Sequence, residues 1–542
     1  MEIVLGKQQE NLGAQNDFLE FYKNISPGYN QFSFEKEKLD LILIVGDISD
    51  IIKSFHAKID AWYLDGFSPS KNPEMWTNEI FSFMKRNSKK GATFSTYSTA
   101  GFVREGLTNA GFKIEKSQGF GNKKNMLKGI IPIIQQTIEH KPWFRVPKIN
   151  SKNKSAVIIG GGLAGTSIAF ALSEKKYKVT LIERENKIAS GASGNPAGMF
   201  APVLTGDISD LSKWSVASFN AFLNFLSIYG KKFPEIFRQI GVIQSLKSEE
   251  ELRILEKSLK NYVINSNITI VNNTNQKFKG LFFSNAGWIN PVQLSEAYLK
   301  LAKHNLNLIL STSLIQIKNE NTHWKVYLNN GDILETETLV IANSFDAKDF
   351  IQDLEKVRKV RGQILFFPSQ EFPYPLENIL LHDDGYIIPN INGMHIIGSS
   401  FDPNDDSTQL NPEANVRLLQ NIKGIFPEIN PEDGLKLQGR VGFRAMSSDH
   451  LPLVGLVPDS SSFERDYSDL WKANIYKDYP DGSYLSGLYL SCGHGSKGIL
   501  NSYMAANVLS NIIANEETPL ENSLLEKISP ARFLIQSFIR HR

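Results

Sequence analysis

Residues 155–184, SAVIIGGGLAGTSIAFALSEKKYKVTLIER, leave little freedom in the choice of fold. An apolar strand-like run, Ala156 to Ile159, meets Gly160-x-Gly162-x-x-Gly165, a helical stretch follows, and a second apolar run ends in Glu183. Gly160 permits a tight turn, Gly162 lets backbone approach a pyrophosphate at a helix N-terminus, and Gly165 lets that helix pack on the strand. Glu183, with Arg184 beside it, is placed to accept hydrogen bonds from an adenosine ribose, which disfavours a 2′-phosphate. The pattern predicts a parallel α/β sheet that binds a dinucleotide. The bland reading is a glycine-rich structural turn.

Two further loops decide which dinucleotide. Ala189-Ser-Gly-Ala192-Ser193-Gly-Asn195-Pro-Ala-Gly198 supplies small residues whose backbone can pass close to a flavin. Gly493-His-Gly495-Ser496-Lys497-Gly498 is a second glycine turn between a strand and a helix. Its amides and helix dipole suit the pyrimidine oxygens of a reduced flavin. Taken alone, either loop reads as an ordinary turn; two glycine turns bracketing one sheet fit FAD. Between them lies Arg440-Val-Gly-Phe-Arg444-Ala-Met-Ser-Ser-Asp449-His-Leu-Pro452. Arg444 can clamp a substrate carboxylate through two parallel hydrogen bonds. The alternative is an ordinary salt bridge with Asp449.

Composition removes other classes. Of 542 residues, 59 are Lys or Arg and 57 Asp or Glu, a net charge of +2, so the chain is no global polycation and DNA is not an expected partner. A single cysteine, Cys492, excludes an intramolecular disulfide framework and a multi-cysteine zinc site. The nine histidines form no HExxH or cluster, so no metal site is expected. No stretch reaches the ~18–20 apolar residues of a membrane span, and the N-terminus lacks a signal-peptide pattern. These features predict a soluble, cytoplasmic protein without a membrane partner.

The chain divides into 1–131, a basic linker 132–154, and 155–542. Within the last, residues of about 155–240 and 435–515 are expected to bind the cofactor and about 241–434 to form an antiparallel substrate part. Between Lys113 and Lys154, ten Lys or Arg (113, 116, 123, 124, 128, 141, 145, 148, 152 and 154) face only Glu115 and Glu139. This is a solvated linker or a docking strip for phosphates. Residues 1–131 alternate strands (39–47, 59–67, 91–98) with helices (74–86, and one from Thr99), closed by a hairpin of 112–117 with 125–131. Residues 1–38 supply no strand and glycine turn, so this half reads as a partial α/β domain.

Residues 155–515 resemble the D-amino-acid oxidase (glycine/sarcosine oxidase) family of FAD enzymes. The marks are Gly160-Gly-Gly-Leu-Ala-Gly165, Gly191-Ala-Ser-Gly194, Gly442-Phe-Arg444 with Asp449 and Pro452, and the last glycine turn. In that family Arg444 matches the arginine that binds the substrate carboxylate, and Tyr386, in Asp-Gly-Tyr-Ile-Ile-Pro389, resembles a strand tyrosine. The N-terminal strings are Asp60-Ala-Trp-Tyr-Leu-Asp65-Gly-Phe-Ser-Pro-Ser-Lys-Asn-Pro-Glu-Met-Trp76, Thr99–Arg104 and Gly119–Leu127. With Pro142-Trp-Phe144, Gly287–Pro291, Lys359-Val-Arg-Gly-Gln363 and Ser529-Pro-Ala-Arg532, they resemble the MnmC-type family of bifunctional tRNA 5-methylaminomethyl-2-thiouridine biosynthesis proteins over nearly the whole chain.

That resemblance implies a Rossmann-like methyltransferase domain, partial here, followed by an FAD-binding Rossmann-type domain with an interleaved antiparallel substrate domain. It implies oxidation of a carboxymethylaminomethyl group on a tRNA wobble uridine, release of glyoxylate, then methylation of the aminomethyl product from S-adenosylmethionine. Asp47 is similar to an acid near the adenine of that cofactor, and Asp65 can orient or deprotonate the amine or be merely structural. The family's first strand and S-adenosylmethionine glycine loop are expected before Met1, so cofactor binding in this half is expected to be poor. Phosphate contacts are expected from the strip 113–154 and from Arg532, Arg540 and Arg542. Two other readings stay open: a small-molecule glycine/sarcosine-type amino-acid oxidase with a vestigial appendage, and a non-catalytic flavin-containing tRNA-binding protein.

Overall fold

The computed structural model describes residues 25, 28–34, 39–55, 57, 59–119, 124–132, 141–149, 151, 153–207, 209–246, 248–259, 268–273, 278–320, 323–382, 385–473 and 477–541. Lys123, Lys152 and Arg542, residues 133–140 of the linker and 120–123 of the Gly119–Leu127 string lie outside the described residues. The chain forms two compact units. One comprises 44–141 with 521–525; the other comprises 142–520, 526–542 and the described residues among 1–43.

In the smaller unit the sheet runs Ile59–Leu64, Ser88–Thr96, Asn125–Ile130, Lys113–Gln118. The first pair is parallel and the last two strands form the expected antiparallel hairpin. Helices Asn78–Asn87 and Gly101–Asn109 supply Phe81, Met84, Val103 and Leu107 to a core with Phe94, Phe112 and Leu127. The helix expected over 74–86 is split. Pro73–Trp76 is a separate 3-10 turn, and the α-helix restarts where the Thr77 hydroxyl accepts from the Ile80 amide. Trp76 donates its indole N–H to the Phe67 carbonyl at 2.9 Å and Tyr97 its hydroxyl to the Gly66 carbonyl at 2.6 Å. The Asp65-Gly-Phe67 loop is therefore held from two sides.

In the larger unit a six-stranded sheet runs Leu306–Ile309, Lys178–Ile182, Ser155–Ile159, Leu339–Ile341, Tyr484–Cys492, Leu453–Pro458. All pairs are parallel except the last. Its strands read as continuous apolar runs because helices cover the sheet. Helix Leu163–Glu174 packs on Pro291–Ala302 and Gly498–Ala514, and Asp210–Tyr229 packs on the latter. The aromatic interior includes Phe170, Phe222, Phe225 and Tyr298; truncating one such buried phenylalanine costs about 3–5 kcal/mol.

The second sheet of this unit has eight strands. Its end order is Ile379–His382, Gly385–Ile391, Met394–Gly398, Val357–Pro368, Gly439–Ser447, all antiparallel neighbours. The expected antiparallel character of 357–400 is present, with one parallel pair, Val242–Leu246 beside Ile379–His382. Pro142-Trp-Phe144 forms a 3-10 turn docked on this unit: Tyr484 donates its hydroxyl to the Trp143 carbonyl at 2.7 Å, and the indole ring packs edge-on against Tyr467 and Tyr479. Among the described residues, no helix is long and apolar enough to cross a membrane.

Candidate active site

The glycine turn forms as its residue types require. Gly160 has φ +108°, and a Cβ there would lie 2.7 Å from the Ala342 carbonyl oxygen; a Cβ on Gly165 would fall 1.8 Å from that of Gly160. Only hydrogen atoms fit at both positions. Helix Leu163–Glu174 begins at Gly162, which has no side chain to cap it. The cap comes from thirty residues on, where Ser193 Oγ accepts from the Leu163 amide at 3.1 Å. Glu183 accepts from the Gly161 amide at 2.6 Å and, through its other oxygen, from the Glu185 amide at 2.9 Å. Its carboxylate thus braces the turn, with lone pairs left for a ribose.

One cavity of about 1100 Å³ gathers the expected residues: Gly160, Gly162, Glu183, Arg184, Ala192, Ser193, Asn195, Gly493, Gly495, Ser496, Lys497, Gly498, Tyr386 and Arg444. Gly165 sits beneath it as a packing glycine. Arg184 is exposed and paired to Asp346 at 2.7 Å. Gly493 and Gly495 both have positive φ, and Gly495–Lys497 leads into helix Gly498–Ala514, whose first amides have no intrahelical acceptor. Burial pulls the Lys497 ammonium down to about 8 and the His494 imidazole down to about 4, so His494 is neutral at physiological pH. His494 meets Ser491 Oγ at 3.1 Å through Nε2, while its buried Nδ1 has no partner among the described residues.

Arg444 sits on strand Gly439–Ser447, in register with Val360, and Gly442 pairs with Gly362. Strand alternation puts Arg440, Gly442 and Arg444 on one face. The two paired glycines clear a trough: a Cβ on Gly362 would lie 1.8 Å from Arg444 Nη2, and one on Gly442 3.3 Å from Arg440 Nη1. Arg444 Nη2 donates to Ser399 Oγ at 3.0 Å and to the Ser400 carbonyl at 2.8 Å. Desolvation pulls its pKa below the ordinary guanidinium range, opposed by Tyr386 and Asp402, yet the group stays a guanidinium. Burial likewise raises the Tyr386 hydroxyl above 10.0, with Arg444 opposing, so it is protonated at neutral pH.

The salt bridge weighed for Arg444 is not formed. Asp449 is taken by Arg532 in a two-pronged pair, Nε to Oδ2 at 2.8 Å and Nη2 to Oδ1 at 2.9 Å. Arg532 is only 2% exposed, which corrects its expected role as a phosphate contact: a buried, paired guanidinium cannot reach RNA. Arg444 is left with no hydrogen bond to a carboxylate among the described residues, at the wall of the cavity. Arg440, on the same strand, was not singled out in the sequence. Its Nη1 donates to Asn195 Oδ1 at 2.7 Å and its Nη2 to the Ser190 and Gly191 carbonyls at 3.0 and 2.5 Å, fixing the flavin loop. Its four-residue spacing from Arg444, even in a strand, was the available signal.

In the smaller unit, Asp47 caps helix Ile48–Ser54, its Oδ1 accepting from the Ser49 amide at 2.8 Å and hydroxyl at 2.6 Å. Asp65 is exposed on the held loop. Neither lines the cavity of about 580 Å³ on this sheet, which Trp62, Phe94, Lys113 and Lys128 border. Strand Leu39–Val45 leads through Gly46 and Asp47 into helix Ile48–Ser54. Among the described cations of 113–154, Lys128 faces Glu115 at 3.5 Å and Arg145 pairs with Asp481 at 2.7 Å.

Comparison with known proteins agrees with this geometry. Residues 155–512 match the FAD dependent oxidoreductase family, and residues 9–132 match the S-adenosyl-L-methionine-dependent methyltransferase family. A tRNA 5-methylaminomethyl-2-thiouridine biosynthesis bifunctional protein MnmC from Leptospira interrogans serogroup Icterohaemorrhagiae serovar Lai (strain 56601) is 32% identical over 544 residues, covering 97% of this chain and 83% of that protein. The chain belongs to this bifunctional family. Its relative from Stutzerimonas stutzeri (strain A1501) is 31% identical over 554 residues, covering 100% of this chain and 83% of that protein.

The larger unit shares the fold of glycine oxidase from Geobacillus kaustophilus (TM-score 0.56, 19% identity, 70% of this chain and 98% of that one). It also shares that of iminodiacetate oxidase from Chelativorans sp. BNC1 (TM-score 0.55, 15% identity, 69% of this chain and 98% of that one). Membership makes the chain an FAD-dependent oxidoreductase joined to a methyltransferase domain. FAD fits the residues present, since the glycine turn that would hold its pyrophosphate admits no Cβ and opens into the cavity.

Proposed function

We propose that residues 155–542 oxidise the glycyl arm of 5-carboxymethylaminomethyl-2-thiouridine at the wobble position of tRNA, in the cytoplasm. The observation that carries this reading is Arg444, a half-buried cation at the cavity wall with no hydrogen bond to a carboxylate among the described residues, beside Tyr386. A planar guanidinium presents parallel N–H donors to a carboxylate, and burial strengthens that pairing. Bound in the cavity, FAD supplies the two-electron acceptor for the C–N bond.

The chain's own residues do the rest. Arg444 holds the carboxylate while Ser399 and Ser400 hold Arg444. The protonated Tyr386 hydroxyl can donate a hydrogen bond to the carboxylate without adding negative charge. A desolvated pocket favours the neutral amine, the form able to surrender hydride. Hydrolysis of the resulting imine by water releases glyoxylate and leaves the aminomethyl group on the base. Methylation of that amine, from S-adenosylmethionine, is assigned to the methyltransferase domain, with Asp65 near the reacting amine and Asp47 toward the cofactor.

The test is mass spectrometry of the wobble nucleoside after purified protein meets hypomodified tRNA and oxygen, with and without S-adenosylmethionine. Loss of the carboxymethyl group, abolished in Arg444→Ala with FAD retained, is the expected result. Turnover of free glycine with untouched tRNA would overturn it. Aminomethyl product that gains no methyl group when S-adenosylmethionine is supplied would overturn the methyl step alone.

A further inference from the structure

We infer that Phe401 is a stacking platform for the pyrimidine base that carries the glycyl arm, so that the mouth of the oxidase cavity reads a nucleobase. This rests on the reading of the oxidase site given above and extends it from the carboxylate to the base.

Phe401 lines the cavity with Arg444 and Tyr386, yet its side chain is 55% exposed. Its backbone is fixed on both sides. Ser400 N–H donates to the Gln363 carbonyl at 2.9 Å, and Asp402 exchanges backbone hydrogen bonds with Arg361 at 3.0 and 3.2 Å. Ser400 Oγ donates to Asp402 Oδ2 at 2.5 Å, and Asp402 pairs with Arg417 at 3.2 Å and with the fully buried Arg361 at 3.5 Å. Arg361 is itself held by the Ser407 and Gln409 carbonyls and by Gln363. The Lys359-Val-Arg-Gly-Gln363 string thus builds a rigid base under one residue, and that residue points an apolar ring at solvent.

A rigidly mounted, wet aromatic ring is a poor core residue and a good recognition surface, because its orientation is set before the ligand arrives. Its position matches the substrate. Arg444 grips the carbonyl of Ser400, the residue before Phe401, and in the glycyl arm only two methylenes and a nitrogen separate the carboxylate from the pyrimidine. With the carboxylate on Arg444, the base emerges at the rim where Phe401 stands. Unstacked loop bases in RNA are commonly bound on aromatic faces. Free glycine offers nothing to this ring.

The experiment measures KM and the maximal rate of flavin reduction for an anticodon stem-loop bearing the carboxymethylaminomethyl group, and its Kd by titration. Proteins compared are wild type, Phe401→Ala, Phe401→Leu and Phe401→Trp. Losing one base–aromatic stack predicts a rise in KM and Kd of roughly ten- to a hundredfold for Ala and Leu. Trp should stay within about threefold of wild type, since its face also stacks. The maximal rate should move far less than KM, as for binding shared by ground and transition states. Unchanged KM and Kd in Phe401→Ala would overturn the inference. So would an equal rise in KM for sarcosine, which has no base. Failure of wild type to oxidise the stem-loop at all is a different result, which sinks the parent reading.

Discussion

Gly362→Ala should disable substrate oxidation while leaving the cofactor in place. The added Cβ would sit 1.8 Å from Arg444 Nη2, 2.6 Å from its Cζ and 2.8 Å from its Nε. Carbon contacts settle near 3.5 Å, so the guanidinium must retreat by roughly 1 Å or more. Its bonds to Ser399 Oγ and the Ser400 carbonyl, now 3.0 and 2.8 Å, would pass the limit of about 3.2 Å. A shift of about 1 Å in a substrate-positioning group lowers rate by about 10²-fold, equivalent to about 2.7 kcal/mol. The assay is anaerobic stopped-flow reduction of the flavin, with FAD content read from the visible spectrum and folding from a thermal melt. Arg444→Lys, which keeps the charge but loses the planar fork, should fall by a similar factor. A Gly362→Ala protein that binds FAD and is reduced at the wild-type rate would refute the reasoning.

Other consequences are equally direct. Glu183→Ala removes a charged acceptor worth about 1.5–3 kcal/mol to the Gly161 amide, so FAD titration of apoprotein should show Kd at least about tenfold weaker. Asp449→Asn breaks the pair with buried Arg532, costing about 3–5 kcal/mol, and should lower the melting temperature by several degrees. Burial tends to raise the Asp449 pKa, but Arg532, Ser447 and the Leu451 amide outweigh it and hold it below 3.8. Its stabilisation is therefore complete above about pH 4 and fades as pH falls further, so wild type and Asp449→Asn should converge only in acid. Reversing Lys124 and Lys128 should weaken tRNA binding and lower the log–log salt slope by about 0.7–0.9 per lost phosphate contact. An unchanged slope would remove these lysines from the RNA footprint.

What the sequence made legible was local. The turn at 160–165 and the hairpin of Lys113–Gln118 with Asn125–Ile130 each follow from residues close together in the chain. Long-range partnerships did not show. Asp449, five residues from Arg444, reads as its mate, but the strand carries Arg444 into the cavity while Asp449 turns to Arg532, 83 residues on. The capping of a bare glycine by Ser193 and the pairing of Gly362 with Gly442 were hidden for the same reason. Pro73 and Thr77 were signals overlooked: together they divide what the apolar spacing suggests is one helix.

Arg440 and Arg444 share one face of one strand, the first tied to the loop beside the cofactor and the second turned to the substrate. Anyone redesigning this oxidase for a longer or shorter acid must accept that the two are geared together. Sliding the strand to move one guanidinium drags the other off its loop.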